Sequence, residues 1–110
     1  MRPPLENLQI TTTDLSLLQE SKQNYLILDV REPFEIEKAS LPNSLNIPLN
    51  LLVSRMPEIP ETDLIITLCH HGIRSLKAAQ LLASYGKKVY SLRGGIDAIS
   101  REMDSSIPIY

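Results

Sequence analysis

Apolar residues fall into short runs that alternate with amphipathic stretches along the chain. Tyr25-Leu26-Ile27-Leu28, Leu64 to Cys69 and Val89-Tyr90-Ser91-Leu92 have strand length and lack clean polar alternation. Such runs predict strands covered on both faces. Leu8-Gln9-Ile10 and Leu45-Asn46-Ile47 predict two shorter strands, the second stopped by Pro48. Between them, Thr12 or Thr13 is placed to cap a helix carrying Leu15, Leu17 and Leu18, and Glu32-Pro33 to open a short one. Asn50 to Met56 suggests a brief helix before the break at Pro57 to Pro60. From about Arg74 a longer helix sets Ala78, Leu81, Leu82 and Tyr85 on one apolar face, with Gly86 placed to end it in a left-handed cap. Gly94-Gly95 reads as a turn into a last helix, Ile96 to Met103. Strand and helix in alternation predict an α/β fold with a parallel sheet covered on both sides. Ligands then bind beyond the carboxyl ends of the strands, where Asp29, Cys69 and Arg93 fall.

Length and composition narrow the picture. The chain has 110 residues, room for one domain with a core of about 8–103; Asp104 to Tyr110 has no periodicity and is expected to be loosely held. A net charge of −2 gives no general attraction to nucleic acid or anionic membrane, so neither is expected as a partner. No run approaches the ~18 apolar residues of a membrane span, and the first residues do not resemble a signal peptide. One cysteine forms no internal disulfide, and a reducing cytoplasm is the expected address.

That cysteine is where chemistry concentrates. A lone cysteine ending an apolar strand is most often a small buried hydrophobe. Here, however, Cys69-His70-His71-Gly72-Ile73-Arg74-Ser75 leads directly into the longest predicted helix. Gly72 permits tight backbone approach, Arg74 is a permanent cation, and Ser75 is a residue type that caps helices. The N–H groups of His70 to Ser75 are expected to converge on the sulfur, at a helix end that favours negative charge. His70 and His71 look like a metal pair. Adjacent side chains diverge and no third ligand is evident in sequence, so no metal and no cofactor are expected. Gly94-Gly95 is read as a turn, because no phosphate-loop Lys-Ser/Thr pair follows it.

Three blocks in order resemble the rhodanese-like domains: Leu26 to Glu35, Ala39 to Leu49, and Cys69 to Ser75 followed by Leu92-Arg93-Gly94-Gly95-Ile96. The resemblance spans roughly residues 8–103. It departs from the family pattern at Ser40, where a histidine is common, at Asn43 in place of a glycine, and in having no Trp, whose volume Ile99 or a neighbour must fill. The resemblance implies a three-layer fold with a central five-stranded parallel sheet and helices on both faces. It also implies a sulfurtransferase of the thiosulfate type, which moves a sulfane sulfur from thiosulfate or a persulfide donor to cyanide or a thiol acceptor. On that reading Cys69 carries the persulfide, and Arg74 holds the loop shape or meets the donor. His70, His71, Gly72, Ile73 and Ser75 line the substrate site. Asp29 and Arg31 brace the loop, unless they form a plain surface salt bridge. Four residues separate Cys69 from Arg74, one fewer than in the cysteine-dependent phosphatases that share the fold. A small phosphatase or arsenate reductase, or a non-catalytic binding domain, are the competing readings.

Overall fold

A computed structural model describes residues 8–110. Five parallel strands, β1 (Gln9–Ile10), β2 (Leu26–Asp29), β3 (Leu45–Asn46), β4 (Ile65–Leu68) and β5 (Val89–Leu92), form one sheet in the order β1-β5-β4-β2-β3. Leu26 pairs with Ile65 and Asp29 with Leu68, and on the far side of β4 Ile65 pairs with Val89. The chain leaves β2 toward β3 on one side and β4 toward β5 on the other. The sheet therefore changes direction between β2 and β4, and a crevice opens at their carboxyl ends.

Because side chains alternate across a strand, Leu28, Val30, Ile65 and Cys69 face one layer while Ile27, Ile66 and Leu68 face the other. The first layer is closed by α3 (Leu52–Arg55) and α4 (Ile73–Ser84), through Leu52, Ala78, Ala79 and Leu82. The second is closed by α1 (Thr12–Glu20) and α5 (Gly95–Glu102), through Leu15, Ile96 and Ile99. Ile99 is thus in the core, as its position in the expected tryptophan's stead required.

Local chemistry explains the element ends, with several corrections to the sequence reading. Thr11, rather than Thr12 or Thr13, caps α1 in a reciprocal box with Asp14, an arrangement worth about 1 kcal/mol. Thr12 is buried instead, its hydroxyl donating to Glu102 Oε1 at 2.6 Å. The Asn50–Met56 helix is split into α3 flanked by single 3₁₀ turns at Leu49–Leu51 and Met56–Glu58. The buried face of α4 is Ser75, Ala78, Ala79 and Leu82, and Tyr85 lies beyond the helix, 57% exposed. Gly86 does end α4 as expected. At φ +82° its N–H donates to the Ala83 carbonyl, and that of Lys87 to the Leu82 carbonyl. Asn43 occupies the left-handed turn position that its side chain tolerates, φ +62°.

Asp104 to Tyr110 meets the core through one buried side chain. Ile107 is buried among Leu15, Ile27 and Ile99, and its carbonyl accepts from Ser100 Oγ at 2.5 Å. Ile107 thus pins an otherwise mostly exposed segment, which ends with Tyr110 against the cysteine loop.

Candidate active site

The loop after β4 is shaped by what its carbonyls and its N–H groups each find. The carbonyls of Cys69 and His70 accept from the N–H groups of Ile96 and Asp97, at 2.8 and 3.2 Å, in the first turn of α5. This contact needs Gly95: at φ +64°, a Cβ there would run into the Cys69 and His70 carbonyls. With the carbonyls held on α5, the following amides turn toward the sulfur. Gly72, the N-cap of α4 at φ +103°, donates its N–H to Cys69 Sγ at 3.0 Å, and Ser75 donates its own at 3.3 Å. These are the two amides that reach Sγ among the described residues, a narrower cradle than the six-residue loop suggested.

Ser75 does not cap the helix. It lies within α4, fully buried, with its hydroxyl 3.4 Å from Sγ and 2.7 Å from the Ser91 hydroxyl on β5. Thr67, two residues before the cysteine and on the same sheet face, donates to the Ser75 carbonyl at 2.7 Å. Cys69 itself is 1% exposed, so its sulfur sits at the floor of the site. Ile73 is 71% exposed and offers an apolar edge beside the loop.

The second half of the site is built from side chains. Arg31, wholly buried, donates from Nε and Nη2 to both carboxylate oxygens of Asp29, at 2.9 and 2.7 Å, and from Nη2 to the Ala39 carbonyl at 2.8 Å. The surface salt bridge considered from sequence is therefore an interior one. Burial is the largest single influence and opposes the Arg31 charge, but the hydrogen bonds to Asp29 and Tyr110 and the negative charge beside them together outweigh it and raise the guanidinium pKa. Asn46 Nδ2 donates to the carbonyls of both Asp29 and Arg31, clamping the turn after β2.

That turn leads to α2 (Pro33–Ile36), which carries Glu35. Arg74 donates from Nη1 and Nη2 to Glu35 Oε1 and Oε2 at 2.6 and 3.0 Å, a bidentate pair. The Glu35 side chain is 9% exposed and that of Arg74 35%. This guanidinium holds the Glu35 carboxyl down at about 2. Arg74 is therefore turned to a protein carboxylate.

A family model for the rhodanese-like domain matches residues 11–102. The chain belongs to the rhodanese-like domain family. It is 46% identical over 90 residues to the rhodanese-like/PpiC domain-containing protein 12, chloroplastic, of Arabidopsis thaliana, covering 76% of this chain and 30% of that one. The chain thus spans under a third of that relative's length. A sulfurtransferase of Allochromatium vinosum is 35% identical over 94 residues, covering 84% of this chain and 88% of its own. Among solved structures, a rhodanese-related protein from Thermoplasma volcanium superposes with a TM-score of 0.76 at 33% identity, covering 86% of this chain and 92% of its own.

Two residues of this rhodanese-like domain close the site without having been singled out from sequence. Glu35 sits in the first matching block, and its signal was only an acid three residues after Glu32. Tyr110 had less, an aromatic beyond a polar Asp104-Ser105-Ser106 turn. Its hydroxyl donates to Glu35 Oε2 at 2.9 Å and accepts from Arg31 Nη1 at 2.7 Å. Burial raises the Tyr110 pKa, which keeps the phenol protonated as a donor. Its ring stacks on His70, centroids 3.9 Å apart and planes within 4°. His70 Nε2 meets the Tyr110 backbone oxygen at 2.8 Å; a carbonyl only accepts, so Nε2 carries the hydrogen. His71 stacks on the other side of His70 at 3.9 Å, so the adjacent rings do not diverge as expected. The ligand-capable atoms of His70, His71 and Asp97 lie within 4.8 Å of one another. The tertiary fold thus supplies the third group that the sequence did not show.

Among the described residues, no helix is long and apolar enough to cross a membrane.

Proposed function

We propose that this domain is a sulfurtransferase that carries sulfane sulfur on Cys69 as a persulfide. The observation that carries this reading is a buried Sγ receiving the N–H groups of Gly72 and Ser75 in a loop sized for one sulfur atom. The Cys69 thiolate attacks the outer sulfur of the donor. The S–S bond of the donor breaks, and its leaving group, sulfite from thiosulfate or a thiolate from a persulfide, departs with the bonding electron pair. The outer sulfur, now terminal on Cys69, keeps the negative charge among the same donors. An acceptor nucleophile, cyanide or a thiol, then attacks that sulfur and returns the Cys69 thiolate. A reducing compartment such as the cytoplasm suits a thiol that must stay free between cycles.

The pairing of Arg74 with Glu35 bears on the donor. A cation already matched by a carboxylate attracts a dianion less than a free one does, by on the order of 1 kcal/mol or about five- to tenfold. Thiosulfate is expected to work with a high Michaelis constant, and a less charged thiol persulfide to load Cys69 at lower concentration.

Intact-mass spectrometry tests the reading. Incubation with thiosulfate or glutathione persulfide should add the mass of one sulfur atom, cyanide should remove it, and Cys69→Ser should gain none. A Cys69→Ser protein that still takes up sulfur and turns over would overturn the mechanism. Hydrolysis of a phosphate monoester without sulfur uptake would assign the loop to phosphatase chemistry instead.

A further inference from the structure

We propose that His70, His71 and Asp97 form a binding site for a divalent transition metal of the Zn²⁺ class at the mouth of the cysteine loop. Two imidazoles and one carboxylate make a borderline donor set of the kind that holds Zn²⁺ with one position left to solvent. Their ligand-capable atoms lie within 4.8 Å of one another. Bonds of about 2 Å in a tetrahedral site place donors roughly 3.3 Å apart, so the set closes when the His71 ring swings out of its stack on His70 and aims its lone pair at the ion.

The backbone already fixes the partners to each other. The Asp97 N–H donates to the His70 carbonyl at 3.2 Å, in the contact that Gly95 permits, so the loop and α5 present their ligands together. His70 carries the outer support typical of a metal-bound imidazole. Its Nε2–H is committed to the Tyr110 backbone oxygen and its ring is held by the Tyr110 stack, which leaves the Nδ1 lone pair available. His71 is exposed, and its stack on the His70 ring is the contact it gives up to turn toward an ion. One feature works against binding: Arg101 Nε pairs with Asp97 Oδ2 at 2.9 Å and competes for that carboxylate, leaving Oδ1 as its other oxygen.

The proposal does not rest on the sulfur-transfer reading, and its test does not use that activity. Metal-free protein, kept reduced, is titrated with Zn²⁺ by calorimetry and with Co²⁺ by visible absorption. One equivalent should bind. The Co²⁺ spectrum should show the d–d bands of a four-coordinate site without a thiolate charge-transfer band, and Cys69→Ser should bind as tightly as the wild type. His71→Ala at the exposed ligand and Asp97→Asn at the half-buried one, both checked for folding by circular dichroism, should each weaken binding at least about tenfold. Arg101→Gln should tighten it several-fold by releasing Asp97. Unchanged affinity in His71→Ala and Asp97→Asn, loss of binding in Cys69→Ser, or no binding by the wild type would each overturn the proposal.

Discussion

The two sides of the cysteine loop are built from different materials. Toward α4 and α5 the sulfur is surrounded by backbone: the amides of Gly72 and Ser75 point in, and the carbonyls of Cys69 and His70 are tied off on α5. Toward β2 and α2 the site is built from side chains, with Asp29, Arg31, Glu35, Arg74 and Tyr110 joined by hydrogen bonds into a network whose two acids match its two guanidinium groups. The first side tolerates no added carbon at its glycines but places few demands on charge. The second accommodates changes of shape but depends on each charge keeping its partner. In this domain the backbone side receives the cysteine sulfur, and the side-chain side ties the loop to β2 and α2 through Arg74 and Glu35.

Gly95→Ala should separate the two most severely. Its Cβ meets the loop carbonyls and its backbone is left-handed, so a stability loss of about 3 kcal/mol or more is expected in urea denaturation, with sulfur uptake lost even in protein that folds. A variant with wild-type stability and uptake would show that α5 does not shape the cradle.

Arg74→Ala attacks the other side. It leaves the Glu35 carboxylate almost buried and without its cation, at an expected cost of about 2 kcal/mol in stability and roughly 30-fold or more in turnover. Adding Glu35→Gln should recover about 1 kcal/mol of that stability, because the stranded charge is then gone. If the double variant is as unstable as the sum of the singles, the pair is not coupled and the network description fails.

Acid titration sharpens the same contrast. The Glu35 carboxyl is held at about 2 in the folded protein, against an ordinary carboxylate value near 4.5. A lowered folded-state pKa contributes stability that is fully present above about pH 4.5 and is lost as pH falls toward 2. Glu35→Gln should flatten that acid limb, by on the order of 1–3 kcal/mol between pH 5 and pH 2, and change little near neutrality beyond the loss of the pair itself. An unaltered acid limb would place the protonation elsewhere.

Tyr110→Phe is the mildest change. It removes the hydroxyl between Arg31 and Glu35 but keeps the ring on His70, so about 1 kcal/mol of stability and a few-fold change in turnover are expected. A much larger loss would mean that the phenol takes part in the chemistry rather than in support of it.

The parts that sequence reading anticipated share one property, that their causes are local. The apolar runs of β2, β4 and β5, the Gly86 end of α4, the left-handed Asn43 and the spacing of the cysteine loop each follow from residues within a turn or two of one another. The parts it missed join residues far apart in the chain. Arg74 finds Glu35 across 39 positions, Tyr110 finds Glu35 across 75, and His70 finds Tyr110 across 40. Local signals also misled where a long-range partner outbid them. Ser75 had the chemistry of a cap, but Ser91 and the sulfur take its hydroxyl, and Thr12 turns inward to Glu102 while Thr11 caps α1.

What the amino-acid sequence determined by itself was the list of strands and helices, their parallel arrangement, the family and the loop that holds the cysteine, because hydrophobic period, turn residues and motif spacing are properties of neighbouring positions. Only the tertiary structure decided that Arg74 pairs with Glu35, that Tyr110 reaches the cysteine loop, and that Asp97 lies beside the two histidines. Those depend on the crevice between β2 and β4 and on the close seat of α5 that Gly95 allows. A side chain's partner across such a gap is chosen by the packing of whole layers, which no short stretch of sequence encodes.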